Sequence, residues 1–162
     1  MAILEILTNQ NPVLRKISKP VKSLTAEVRE LISHMEETMR SAPGIGFAAP
    51  QVGALQRIII ADIGEGLHVL INPKITKRSG KQTIVEGCLS VPGVEGPVER
   101  ASKVTVKAMD RKGQNVTIEA EGLLATVFQH EIDHLDGKLF IDRISDPNLI
   151  TYKPKIPKEE SI

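Results

Sequence analysis

The sequence predicts an α+β fold, with antiparallel β-sheets packed around a central metal-binding α-helix and a second, N-terminal helix. Three observations carry this expectation. Apolar residues recur at helical spacing in two stretches, Val28 to Met39 and Leu124 to Leu135. Between those stretches the chain falls into short β-branched runs separated by turn residues. The second helical stretch also carries His130 and His134, four residues apart and therefore on one helix face.

The first helix follows Thr25, whose side chain suits an N-cap and is followed by Glu27 in the first turn. Val28, Leu31, Ile32, Met35 and Met39 form its apolar stripe, and Ser41-Ala42-Pro43-Gly44 stops it. His34 borders the stripe as a surface or boundary residue. Strands are expected over 57–62, over 67–71 after the Gly64-Glu65-Gly66 turn, and over 75–78, 82–85, 103–109 and 116–121. His68 is read as an exposed strand position. The last two runs alternate apolar and polar residues around Asp110-Arg111-Lys112-Gly113, as an antiparallel hairpin does. The second helix starts near Glu121 or Gly122 and runs towards Asp136, with Gly137 as its C-terminal stop. The organisation is one catalytic domain over 1–146 and a Pro-containing tail over 147–162, too broken for a regular helix.

Composition narrows the function by exclusion. Twenty-one basic against twenty acidic residues leave a net charge of +1, which predicts neither nucleic-acid nor membrane-surface binding. One Cys makes no internal disulfide, so nothing points to an oxidising compartment. No apolar run approaches the roughly 20 residues of a membrane span, and the N-terminus lacks a secretory pattern. A bacterial cytoplasm is the expectation, with a mature organellar form as the alternative.

The chemistry is concentrated in His130-Glu131-Ile132-Asp133-His134. Two imidazoles on one helix face suit a single metal ion, and Glu131 next to them suits proton transfer. The familiar zinc-protease pattern would place a third His where Phe140 stands. An acidic third ligand would have to come from Glu159 or Glu160, in the tail. Cys88, in Glu86-Gly87-Cys88-Leu89-Ser90 at a strand end, is the better candidate: two imidazoles and a thiolate leave one tetrahedral position open. A third segment, from Gly44 to Gly53, is rich in Gly and Ala and suits close approach of a backbone or substrate. Within it, Gln51 either donates its amide hydrogens to an oxyanion or caps a backbone group; spacing does not decide between them.

Together, Gly44-Ile45-Gly46-Phe47-Ala48-Ala49-Pro50-Gln51, Glu86 to Ser90, and Gln129 to His134 resemble the peptide deformylase family. Asn11-Pro12-Val13-Leu14-Arg15 and Leu135-Asp136-Gly137 extend the resemblance to nearly the whole chain except the tail. It implies a hydrolase that removes the N-formyl group from the initiator methionine of new polypeptides, releasing formate. By resemblance, Cys88, His130 and His134 hold the metal, and Glu131 is the general base and acid. Gln51 and the backbone amide of Leu89 would serve the oxyanion, and Ile45 and Gly46 would contact substrate. The ion implied is Fe(II), with zinc, nickel or cobalt as substitutes.

Two departures accompany the resemblance. Some members carry an Arg in the loop after the Cys block; here Gly93-Val94-Glu95-Gly96-Pro97 has none and Arg100 is the next. Some end in a helix that docks on the ribosome, which Lys153 to Ile162 does not resemble, so any ribosome association would be transient. The rivals are a zinc endopeptidase with an acidic third ligand, and a non-catalytic domain with a closed structural metal site. Glu131 and Gln51 speak against the second, since a structural site needs neither.

Overall fold

A strand in which every residue is apolar must be covered on both faces, and Ile58-Ile59-Ile60-Ala61 meets that condition. In the computed structural model, which describes residues 2–8 and 10–152, this run is strand β2 (Ile58–Ala61), buried throughout. Alternate residues face opposite sides. Ile58 and Ile60 pack with Ile32, Met35 and Met39 of helix α1 (Ala26–Ser41). Ile59 and Ala61 pack with Val127, Phe128, Ile132 and Leu135 of helix α2 (Gly122–Leu135). The sheet is thus clasped between the two predicted helices. Thr25 caps α1, its Oγ accepting from the Val28 N–H at 3.2 Å.

β2 lies second in an antiparallel sheet of order β1-β2-β3-β6-β7, built with β1 (Gly46–Ala48), β3 (His68–Ser79), β6 (Lys103–Met109) and β7 (Asn115–Glu121). A second sheet has the order β4-β5-β8, from Gln82–Cys88, Val91–Arg100 and Thr151–Tyr152. The β6–β7 hairpin pairs as its alternation predicts, Val104 facing Ala120 and Val106 facing Ile118.

Three expectations are corrected. The runs 67–71 and 75–78 are one strand, β3, whose register slips between Ile71 and Lys74 and again between Ile75 and Lys77. Asn72 sits there at φ 54, with its side chain accepting from the Val21 N–H (2.8 Å) and donating to the Val21 carbonyl (2.9 Å). The segment 93–97 is no loop but the middle of β5, which pairs with β4 from Gln82↔Arg100 to Gly87↔Glu95. Pro92, Gly93, Gly96 and Pro97 lower its local β-propensity; pairing overrides that. His68 is half-buried, edge-on to Phe128. Of the tail, 147–149 form a 3-10 turn and 151–152 pair with β5, while 153–162, Glu159 and Glu160 included, lie outside the described residues. Among the described residues, no helix is long and apolar enough to cross a membrane.

α2 is the centre of the molecule. All its residues from Ala125 to Leu135 are buried, as a helix enclosed by sheet on several sides must be. Its C-terminus is closed by a neighbour: the Leu135 carbonyl accepts from the Ser18 N–H (2.8 Å) and from Arg57 Nη1 (3.1 Å). Gly137 follows at φ 72, the left-handed position glycine favours. A Cβ there would lie 2.5 Å from the Arg15 carbonyl oxygen.

Candidate active site

Helical spacing brings His130 and His134 onto one face of α2, their rings edge to face with centroids 5.2 Å apart. β4 delivers Cys88 to the same point as its last residue, and Cys88 Sγ lies 3.4 Å from His134 Nε2. One ligand atom from each of Cys88, His130 and His134 can be chosen so that all lie within 4.8 Å of one another. An ion with bonds of about 2.0–2.3 Å bridges such a group.

The donor chemistry fits a metal. Glu86 lies 2.8 Å from His130 Nδ1, so that nitrogen carries the proton and Nε2 keeps its lone pair. Among the described residues, His130 Nε2 and His134 Nδ1 are buried without hydrogen-bond partners, as are both oxygens of Glu131. Burial holds His134 well below the ordinary histidine range, so its imidazole is neutral. Burial pushes the Cys88 thiol far up, with Glu131 adding to the shift, while the N–H groups of Ser90 and Val91 point at the sulfur and favour thiolate. A cation binding there displaces the thiol proton.

A buried ionic chain holds the imidazole side. Arg100 donates twice to Glu86, at 2.6 and 3.0 Å, and once to Asp133 at 3.0 Å. Arg143 donates to Asp133 from the surface side at 2.8 and 3.0 Å. Burial alone would raise Glu86, but His130 and Arg100 more than offset it and keep the carboxyl below the ordinary range. Asp133 is likewise depressed, the pull of Arg143 and Arg100 exceeding the effect of burial. Phe140 stacks on His130 with ring centroids 6.0 Å apart. It occupies the position where a protease would place its third ligand, and packs against a candidate ligand instead.

Glu131 differs from these carboxylates. Burial raises it well above the ordinary range, the charges of Glu86 and Asp133 add to that, and Arg100 only partly opposes them. A carboxyl whose charged form is disfavoured in this way is suited to taking up a proton and passing it on. Its carboxylate lies against Gly46: a Cβ there would sit 2.5 Å from Glu131 Oε2 and 2.7 Å from Val127 Cγ1. Neighbouring Ile45 is partly buried against the α2 core. Gln51, fully buried, reaches the site through its amide, with Nε2 3.8 Å from Cys88 Sγ. Leu89 occupies the turn immediately after Cys88. The eight residues singled out in the sequence thus come from α2, the β4 end and the 45–51 segment, which converge here.

Sequence reasoning missed Arg100, Asp133, Glu86 and Ser90 as parts of this site. A signal for Arg100 exists: Gly96, Val98 and Arg100 alternate as buried residues along β5, so an Arg in phase with them faces inward. Such an Arg demands buried carboxylates.

A family model described as polypeptide deformylase matches residues 3–149. A peptide deformylase of Halothermothrix orenii is 56% identical over 146 residues, covering 89% of this chain and 95% of that protein. One from Carboxydothermus hydrogenoformans is 50% identical over 143 residues, 88% of this chain and 94% of that protein. Among solved structures, a peptide deformylase from Legionella pneumophila superposes with TM-score 0.86 at 47% identity, covering 88% of this chain and 86% of that one. A peptide deformylase from Synechococcus elongatus in complex with actinonin superposes with TM-score 0.87 at 43% identity, covering 90% and 80% respectively.

Proposed function

The chain belongs to the polypeptide deformylase family, and we propose that Cys88, His130 and His134 hold its metal while Glu131, Gln51 and the Leu89 amide carry out the chemistry. The enzyme is a metal-dependent hydrolase that removes the N-formyl group from the initiator methionine of newly made polypeptides, releasing formate. The observation that carries the site reading is the meeting of three ligand atoms within 4.8 Å beside a buried carboxyl held above its ordinary range.

When bound, the divalent ion supplies a Lewis acid that makes water a competent nucleophile near neutral pH. Glu131 takes the proton released as water attacks the formyl carbon. It then delivers that proton to the departing amine nitrogen. Gln51 Nε2 and the Leu89 N–H donate to the oxygen on which negative charge develops, each typically worth ~3–4 kcal/mol of barrier. β1 is an edge strand of its sheet, so the backbone at Gly46 is positioned to pair with an extended substrate peptide, and Ile45 lines the methionine side-chain pocket.

The family resemblance implies Fe(II), with zinc, nickel or cobalt as substitutes; a ferrous site beside a thiolate is sensitive to peroxide. A cytoplasmic role in protein biosynthesis, with at most transient ribosome association, completes the reading. Protein purified without oxygen is expected to contain one divalent ion per chain and to release formate from a formyl-Met peptide. Glu131→Gln is expected to keep the ion and lower kcat by about 10²–10⁴-fold. Full hydrolysis by that variant would overturn the assigned mechanism.

A further inference from the structure

We infer that Ser90 is a positioning residue for Gln51, its hydroxyl fixing which of the two amide hydrogens of Gln51 is left to face the reacting oxygen. The inference rests on the reading of Gln51 as an oxyanion donor and goes one step further, to what aims that donor.

The orientation of the Gln51 amide is set by its partners. Gln51 lies in a 3-10 turn, Ala49–Val52, and its Oε1 accepts from the Ala48 N–H at 2.9 Å. A backbone N–H only donates, so this contact identifies the carbonyl end of the amide, and the NH₂ end must point the other way. There Nε2 donates to Ser90 Oγ at 3.1 Å, both residues being fully buried. The two hydrogens of a planar amide diverge at a fixed angle. Once Ser90 takes one, the direction of the second is no longer free.

The surroundings explain why the anchor is a hydroxyl. The other neighbour of Nε2 is Cys88 Sγ at 3.8 Å, a weak and distant acceptor that would hold the amide poorly. A carboxylate at position 90 would hold it firmly, but would put a negative charge beside the oxygen that must become negative. The Ser90 hydroxyl accepts without charge. Consecutive residues at the end of β4 then have separate tasks: Cys88 as ligand, Leu89 as a backbone donor, and Ser90 as the anchor of the second donor.

The test is a double-mutant cycle on formyl-Met peptide hydrolysis with metal content measured in every variant. Ser90→Ala is expected to lower kcat about tenfold, less than the 10²–10³-fold typical for losing a donor outright, with KM and metal per chain unchanged. In a Gln51→Ala background the same change is expected to cost less than about twofold, because the group it aims is gone. Ser90→Thr, which keeps the hydroxyl, should restore the rate. Should Ser90→Ala fail to fold, Ser90→Cys against Ser90→Thr gives the same comparison at similar volume, with the Cys variant slow. An equal loss from Ser90→Ala in both backgrounds, or no loss in either, overturns the inference. An unchanged kcat in Gln51→Ala itself overturns the reading of Gln51 and the inference with it.

Discussion

On the His130 side of the site, Arg143, Asp133, Arg100 and Glu86 form an unbroken chain of ion pairs ending on the imidazole. On the Gln51 side, an amide sits between a backbone N–H and a hydroxyl, with Cys88 Sγ as its more distant neighbour at 3.8 Å. The difference follows from what each side must do. On the proposed ligand side the charge is fixed through the reaction, so strong paired charges can hold it, Glu86 and Asp133 each being matched by an Arg. On the mechanism proposed above, the Gln51 side responds to charge that appears only in the transition state. Neutral, pre-aimed dipoles stabilise that charge, whereas an ionised anchor would bias the ground state.

The largest effect is expected from removing Cys88, the proposed ligand on which the two sides meet. Cys88→Ala is expected to abolish metal retention and formate release; unchanged metal content would break the ligand set. Next in size is Arg100→Met. It leaves Glu86 and Asp133 buried without their shared partner, so stability to urea should fall by about 3–5 kcal/mol, and metal should be lost to a chelator about 10–100-fold more readily. If stability were unchanged, the imidazole side would not be held by charge. Gly46→Ala probes the junction at Glu131. Its Cβ would press on Glu131 Oε2 and Val127, costing about 1–3 kcal/mol of packing, and kcat should fall with the metal retained. Arg143→Gln, at the half-exposed end of the ionic chain, should cost only about 1 kcal/mol or less in urea titration.

The smallest effect is pH-dependent. Burial tends to raise the Asp142 carboxyl, but its bonds from Arg15 and the Leu139 N–H prevail and hold it below the ordinary carboxylate value. A depressed folded value means that its contribution is complete above the unfolded pKa and is lost as pH falls through the folded one. Asp142→Asn should therefore flatten the acid limb of the stability curve slightly, by about 0.5 kcal/mol or less for so exposed a pair. An unchanged limb would show that this surface pair contributes nothing.

How much of this was legible depended on the range of the cause. Both helices, the 103–121 hairpin and the Cys-His-His set were readable, because periodicity and motif spacing are local properties. β5 was not readable, since its Pro and Gly residues argue against a strand until β4 supplies the partner. Gly96 shows the same dependence: a Cβ there would meet Ile144 Cδ1 at 2.6 Å, a constraint imposed by a segment almost fifty residues away.

The sequence alone determined which groups are candidates to hold and move charge, since His130 and His134 share a helix face with Glu131 beside them, and the three motif blocks name the family. Only the tertiary structure decided how those groups are aimed. Arg100 reaches Glu86 across a strand pair, Phe140 stacks on His130 from the far side of a turn, and Ser90 meets Gln51 over 39 residues of chain. Such contacts depend on distance in space, which sequence separation does not encode, and the energy of a buried charge or an amide depends on the partner that distance supplies.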